Sequence, residues 1–356
     1  MKIIVAIDSF KGCLTSAEAN QAASEGVLAR IPDAEVVQVP VSDGGEGWIA
    51  AFLQSEGRSV ARNMAATSGT LVEVNVKDPL MRPIVAQYLV QGDTAVIEIA
   101  KASGLTLLKP EERNPMVATS YGTGQLVADA VRRGCKHIIV GLGGSATSDC
   151  GIGMLEAIRD SQVIIRDDVR FTIATDVTNP LCGEQGAAHV FGQQKGATPE
   201  MVLELDARAK RFAEASAKRM GRDCQNEPGA GAAGGLGYAF LQYMNAECRP
   251  GIGLLLDTIH FDDLLQDADL VITGEGSADH QTLMGKVPSG ILQRARKHHV
   301  PVMLIAGRIA DEQLLLDAGF ARVACINPPG LPIEIAMQPA TAKENIRQII
   351  SLEYLR

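Results

Sequence analysis

The chain has 356 residues, 46% hydrophobic, 21% charged and only 4% aromatic, with a formal net charge of -9 at pH 7. An acidic chain with few aromatic rings offers neither the basic face nor the stacking platforms that nucleic acid requires, and this length suits two domains with a core each. The 7 cysteines without a CxxC pair and the 6 histidines without metal-ligand spacing argue for free thiols in a reducing compartment, against a disulfide framework or a zinc site.

In chain order, the apolar run at 3–7 reads as a buried strand, too short for a secretory core or a membrane span, so a cytoplasmic protein without a membrane partner is expected. A helix at 16–29, with Ser16 and Glu18 as its start signal, leads to a strand at 35–39. Strand pairs follow at 71–76, 85–89 and 94–98, the last two joined by a Gly-Asp turn. A helix at 124–133, a strand at 137–141, a glycine loop and a helix at 151–158 come next. Further strands are expected at 171–175, 269–273, 302–306 and 322–326, and further helices at 199–217 and 289–299. This alternation predicts an α/β protein with mostly parallel strands. The two ends share a strand–loop–helix texture that the middle lacks. The expected organisation is therefore a discontinuous, doubly wound parallel-sheet domain (1–65 plus 255–356, Rossmann-like or flavodoxin-like) with a second α/β domain, 70–250, inserted and carrying glycine-rich phosphate loops.

The chemistry is concentrated in loops at the carboxyl ends of these strands, where α/β folds place their ligands. Gly141-Leu-Gly-Gly-Ser-Ala-Thr147, with Asp149, sits between a strand and a helix, so its backbone N–H groups and the helix end can meet an anion. Other clusters are Asp8-Ser-Phe-Lys-Gly12, Ser42-Asp-Gly-Gly-Glu-Gly47, Thr175-Asp-Val-Thr-Asn-Pro180, Gly192-Gln-Gln-Lys-Gly-Ala197, Pro228-Gly-Ala-Gly-Ala-Ala-Gly-Gly235, and Gly274-Glu-Gly-Ser-Ala-Asp279 with Gly285-Lys-Val-Pro288. Each alone also reads as an ordinary turn, because Asp and Gly tolerate left-handed backbone. Lysines and backbone N–H groups that neutralise phosphate, beside carboxylates that hold Mg²⁺ or accept a proton, are the parts phosphoryl transfer needs. The spacing does not give G-x-G-x-x-G. No G-x-x-x-x-G-K-[ST] occurs, since Val287 follows Gly285-Lys286, so a dinucleotide dehydrogenase and a P-loop enzyme both lose ground.

With these motifs in order, and with Thr119-Ser-Tyr-Gly-Thr-Gly124 and Ala174-Thr-Asp-Val-Thr-Asn-Pro-Leu181, the chain resembles the type I glycerate kinase family over most of its length. The resemblance implies two α/β domains, one of them discontinuous. It also implies an ATP- and Mg²⁺-dependent kinase acting on D-glycerate, usually at the 2-hydroxyl. Ser148-Asp149-Cys150 departs from the family's Asn-Asp-Gly, Gln193 stands where the family has Pro, and the 157–171 segment is shorter than in relatives. A non-catalytic two-domain binder of small organic acids is the alternative that this shortening suggests; a homodimer is compatible with the sequence.

Residue roles expected on this basis are as follows. Asp8, Ser9, Lys11, Asp43 and the backbone of Gly44 and Gly45 hold the acid, since a small carboxylate needs a cation and N–H donors. The loops containing Gly143, Gly144 and Ser145, and Gly231, Gly234 and Gly235, meet phosphate. Asp279 is the expected general base, with Asp176 or Asp43 as alternatives. Lys286 and Lys195 are the charge-stabilising cations, and Asp43 and Asp176 the candidates for Mg²⁺.

Overall fold

The computed structural model describes residues 1–42, 44–45, 47–55 and 69–352. Its strands are β1 (Lys2–Ile7), β2 (Glu35–Gln38), β3 (Thr70–Lys77), β4 (Pro83–Gln91), β5 (Thr94–Glu98), β6 (His137–Gly141), β7 (Arg170–Ala174), β8 (Glu247–Arg249), β9 (Leu270–Glu275), β10 (Val302–Ala306) and β11 (Arg322–Cys325). The α-helices are α1 (Ser16–Arg30), α2 (Trp48–Ser55), α3 (Ala100–Ser103), α4 (Tyr121–Arg132), α5 (Ile152–Asp160), α6 (Ala187–Phe191), α7 (Pro199–Met220), α8 (Ala232–Met244), α9 (Gly251–Thr258), α10 (Phe261–Leu265), α11 (Val287–Lys297), α12 (Glu312–Asp317), α13 (Ile333–Ala336) and α14 (Pro339–Leu352). The α/β class expected from the alternating pattern is what the chain adopts.

The chain forms two compact units, one of Met1–Asp43, Ala50–Ala66 and Ile252–Arg356, the other of Gly44–Ile49 and Thr67–Gly251. The first unit is built on a 5-stranded parallel sheet of order β11-β10-β9-β1-β2. Renumbered within the unit this is the flavodoxin-like order 2-1-3-4-5, whose topological switch point lies between β1 and β9. Strand β1 is apolar on both faces, as a parallel strand covered on each side must be: every residue from Ile3 to Ile7 is fully buried. Helix α1 starts at Thr15, whose hydroxyl accepts from Glu18 N while the Glu18 carboxylate reaches back to Thr15 N, a capping box. Ser16, expected as the cap, instead donates to Ile7 O and accepts from Val41 N, tying the helix start to the end of β1.

The second unit holds a 6-stranded mixed sheet of order β3-β4-β5-β6-β7-β8, antiparallel across β3–β5 and parallel from β5 to β8. Helix α4 begins at Tyr121, three residues before the start expected from the sequence, and Gly122 and Gly124 lie inside it at close packing contacts. A Cβ on Gly122 would stand 1.9 Å from Lys77 O, and one on Gly124 would stand 2.3 Å from Met154 O in α5. The contact is backbone on helix, so no side chain can give way. Gly124→Ala should therefore lower stability by about 1–3 kcal/mol through overpacking, despite alanine's better helix propensity. Urea denaturation would check this, and an unchanged midpoint would mean that α5 can move off α4.

Candidate active site

In the first unit, the carboxyl ends of β1, β9, β10 and β11 surround a cavity of about 430 Å³ lined by Asp8, Ser9, Lys11, Glu275, Lys286 and Arg308 on its polar side. The loop after β1 carries Asp8, which is buried, and Lys11, which is exposed. Asp8 accepts from Ser9 N at 2.7 Å, and its own N–H donates to Gly274 O at 2.9 Å, joining the two loops at the switch point.

Glu275 ends β9 as a buried carboxylate. One of its oxygens accepts from the Thr282 hydroxyl at 2.6 Å and the other pairs with Lys286 Nζ at 3.2 Å. Lys286 stands at the head of α11, its side chain held from below by this buried anion. Asp279 is not among the residues lining the cavity. Its carboxylate accepts from Gln281 N at 2.8 Å, and its N–H donates to Thr282 Oγ1 at 2.9 Å, so it opens the short 3₁₀ turn His280–Leu283. On the far wall, the Asn327 side chain donates to Gly307 O at 2.7 Å and accepts from Asn345 at 2.9 Å.

In the second unit, Lys195 is the central group. It is buried, and its Nζ donates to Ser145 Oγ at 2.8 Å and to Thr147 O at 2.7 Å. Burial pushes its ammonium down to about 7, an effect the nearby Asp149 carboxylate partly offsets. Asp149 in turn accepts from Ser120 N and Ser120 Oγ, both at 2.8 Å, and from Gly151 N and Gly153 N, both at 3.1 Å, gathering the starts of α4 and α5 around one anion. Among the described residues, Thr147 Oγ1 and Ser148 Oγ beside it are buried hydroxyls with no hydrogen-bond partner. Asp176 follows β7 at the same sheet edge.

The glycines of these loops divide by what they touch. Gly143 donates to Gly44 O at 3.3 Å, and a Cβ on it would meet Gly45 Cα at 2.4 Å, so this glycine lets the 44–45 turn pass. Gly231 donates to Asn179 O at 2.9 Å. At Gly234, with φ of +67°, a Cβ would lie 1.9 Å from Thr147 O, and at Gly235 one would lie 2.9 Å from Cys150 Cα. These three seat the 228–235 loop against neighbouring backbone. Gly144 differs: it is exposed, its φ is +73°, and the nearest atom to a Cβ there is Ala100 Cβ at 3.4 Å.

The structure thus brings Asp8, Ser9, Lys11 and Lys286 around one cavity, and Ser145, Lys195 and the Gly143, Gly144, Gly231, Gly234 and Gly235 loops into one cluster of the second unit, where Gly44 and Gly45 also belong. Asp43 lies outside the described residues. Glu275, Arg308 and Asn327 were not singled out from the sequence. Glu275 ends β9, Arg308 lies two residues past β10 and Asn327 two residues past β11, and Glu275 sat unassigned inside the Gly274-Glu-Gly276 motif. Among the described residues no group of three or more His, Cys, Asp or Glu forms a metal cage. Mg²⁺ seldom uses one: it keeps several waters and binds through one or two carboxylates plus substrate phosphates. The hard oxygen donor of Asp176 fits that mode.

The chain matches the model of the Glycerate kinase family over residues 3–159 and 158–352, the two matched parts meeting at the end of α5. It is 41% identical over 352 residues to a glycerate kinase of Haemophilus influenzae, covering 91% of this chain and 90% of that one. It is 40% identical to the glycerate 2-kinase of Escherichia coli, with coverage of 88% and 86%. A crystal structure assigned as glycerate kinase 2 from Salmonella typhimurium LT2 superposes with a TM-score of 0.79 at 37% identity, covering 99% of this chain and 96% of that one. A parallel-sheet unit with Lys286 paired to Glu275 at its strand ends, together with these relatives, defines an α/β kinase. More narrowly, the chain belongs to the glycerate kinase family. No helix among its described residues is long and apolar enough to cross a membrane.

The lowered ammonium of Lys195 has a definite thermodynamic sign. Between about 7 and the ordinary 10.5 the unfolded chain carries a proton there that the folded chain lacks. Stability must then rise with pH across this window and be lowest below it, where both states are charged. Chemical denaturation of the wild type and of Lys195→Met from pH 6 to 10 should give a difference curve that climbs toward the alkaline side. A flat difference would mean that the buried amine titrates normally.

Proposed function

We propose that the protein phosphorylates D-glycerate at its 2-hydroxyl with ATP, giving 2-phospho-D-glycerate and ADP. The observation that carries this reading is the cavity at the β1/β9 switch point, where Lys11, Lys286 and Arg308 face the carboxylates Asp8 and Glu275. A small hydroxy acid needs a cation for its carboxylate, a proton acceptor for its hydroxyl and a second cation for the incoming phosphate. Family membership and the name of the Escherichia coli relative, a glycerate 2-kinase, support the substrate and the hydroxyl.

In this reading Lys11 and Ser9 hold the substrate carboxylate. The 2-hydroxyl oxygen attacks the γ-phosphorus, its bond to the β-phosphate oxygen breaks, and the hydroxyl proton passes to a carboxylate. Asp8 is better suited than Asp279 to take that proton, since Asp8 lines the cavity while Asp279 is turned into the 3₁₀ cap. Lys286 is held toward the cavity by Glu275 and offsets the charge on the transferring group. Lys195 and Ser145, with the exposed backbone of Gly144, neutralise phosphate, and a phosphate there would give the buried hydroxyls of Thr147 and Ser148 a partner. Mg²⁺ would be held by Asp176, with Asp43 as the second candidate, and would neutralise charge on the β- and γ-phosphates. No observation favours the non-catalytic binder.

A coupled assay with D-glycerate and ATP·Mg²⁺, its product resolved by ³¹P NMR, tests the reaction; formation of 3-phosphoglycerate would move the attack to the other hydroxyl. Asp8→Asn should lower kcat by about two to four orders of magnitude, the usual worth of a positioned base. Asp279→Asn, which keeps a good capping side chain, should change kcat far less; the reverse order would return the base to Asp279. Gly144→Ala should weaken ATP binding measured by calorimetry while the fold survives. Unaltered affinity would reduce this loop to a structural turn.

A further inference from the structure

The second unit carries a long strand edge that nothing in its own chain covers. β3 ends the 6-stranded sheet and has 8 residues, whereas β8 at the opposite end has 3, and β2 and β11, the edges of the other sheet, have 4 each. Short edge strands guard against unwanted pairing; β3 lacks that guard and contains no proline. The ladder fixes which of its backbone groups look outward. Asp78 N donates to Arg82 O at 2.9 Å, continuing a register in which the even-numbered residues bond to β4. Lys77 N accordingly turns away from β4 and donates to Gln125 Oε1 at 2.7 Å. By the same period the backbone groups of Leu71, Glu73 and Asn75 point off the sheet, and among the described residues they bond to no other segment. All three residues are exposed. Their side chains share a face with Val85 of β4, which stands opposite Asn75; Leu71 is 42% and Val85 60% exposed there. Glu73, which accepts from Gln87 at 2.9 Å, and Lys77 are the charges of this face, and among the described residues neither has an ion-pair partner.

We propose that β3 pairs antiparallel with β3 of a second copy of this chain, joining the two 6-stranded sheets across a twofold axis at Val74. The inference stands apart from the substrate and the phosphate donor. A row of unbonded N–H and C=O groups is a template for another strand, and an identical strand turned by a twofold axis offers the same row in return. The register follows from the outward groups and the charges. Only the odd-numbered residues can bond across this edge, and the Lys77 N–H is already held by Gln125. With Val74 opposite its own copy, Glu73 faces Asn75 of the second copy and Asn75 faces its Glu73, so both residues close hydrogen-bonded pairs. Glu73 then lies diagonal to Lys77 of the second copy, a separation that long side chains span, and symmetry makes the contact twice. An axis at Glu73 would set two carboxylates opposite each other, which is unfavourable. An axis at Asn75 would need the Lys77 N–H. The charges that would repel a foreign strand therefore select a copy of the same one. Leu71 comes to lie opposite Lys77 of the second copy, whose methylene stem covers apolar surface that a lone chain leaves in water.

The test is sedimentation velocity of the full chain over a wide range of concentration. It compares the wild type with Glu73→Pro, Glu73→Lys, Lys77→Glu and the double variant carrying both charge reversals, with circular dichroism to confirm the fold. The Glu73 N–H lies outside the β3–β4 ladder, so proline there removes only a donor that faces the second copy. The wild type should sediment at twice the mass of one chain. Glu73→Pro should raise the dissociation constant about tenfold or more, as the loss of a hydrogen bond from each copy predicts. Each single charge reversal should weaken the dimer, and the double reversal should restore it, because the diagonal pairs re-form with exchanged signs. Hydrogen exchange gives a reading that needs no variant: the Asn75 amide, although it points away from β4, should be as protected in the dimer as the Val74 amide inside the ladder. A monomer at every concentration, a dimer that survives Glu73→Pro intact, a double reversal no tighter than the single ones, or an Asn75 amide that exchanges freely in the dimer would each overturn the assignment.

Discussion

The pairing of β1 with β9 is the constraint on which the first unit depends. Ile3 to Ile7 lie in parallel register with Leu270 to Gly274, and the buried Thr273 hydroxyl adds a bond to Ala6 O at 2.7 Å. Without that pairing Asp8 and Lys11 would have no spatial relation to Glu275 and Lys286, which come late in the chain. Parallel neighbours end on the same side of the sheet, so their following loops must meet, and the reversal of strand order between them leaves the crevice into which those loops point. The chemistry is therefore a consequence of sheet order: two segments with little in common in sequence are made into one site by a hydrogen-bond ladder.

The second unit is organised differently, by close approach of backbone to backbone. Gly122, Gly124, Gly143 and Gly234 each stand where a Cβ would collide with a carbonyl or a Cα of another segment. These contacts draw the loops at the ends of β6 and β7 into a small volume, and the buried cation of Lys195 and the half-buried anion of Asp149 lie within it. Buried charges are tolerated only when hydrogen bonds replace water. Asp149 receives its hydrogen bonds from five N–H and O–H groups at the starts of α4 and α5; Lys195 has two partners, and its charge is correspondingly easy to lose. One glycine of the signature loop, Gly144, has room around it, so the glycine content of a loop does not by itself separate ligand contact from packing.

The α/β class was legible because the central strands are apolar on both faces and of the length that a buried parallel strand requires. The runs at 3–7 and 302–306 are buried throughout, and no helical period competes there. The candidate loops were legible for a related reason: polar and glycine-rich segments directly after such strands fall at the ligand end of the sheet. What sequence could not supply is which glycines meet protein and which meet solvent, since both show as the same letter. Nor could it distinguish Ser16 from Thr15 as the start of α1; both are good caps, and only the position of Ile7 O decides. Glu275 was hidden because a carboxylate at a strand end gains meaning only when Lys286 and Thr282, brought back by the following turn, close on it. The short β8 has too few residues to carry a period.

The sheet order also dictates a sequence of events during synthesis. Gly44–Ile49 and Thr67–Gly251 are complete before any residue of β9 exists, whereas β1, made first, lacks its central neighbour until Leu270. At translation rates of about 5–20 residues per second this strand, apolar on both faces, waits on the order of ten to fifty seconds. During that time only β2 and α1 can shield it. An unpaired apolar strand edge is a template for aggregation, so the nascent chain is most exposed to misassociation over this interval. The early hairpin-like partnership of β1 with α1, fixed by the Ser16 hydroxyl bridging Ile7 O and Val41 N, then has a role in biogenesis: it covers one face of the strand until the carboxyl-terminal strands arrive.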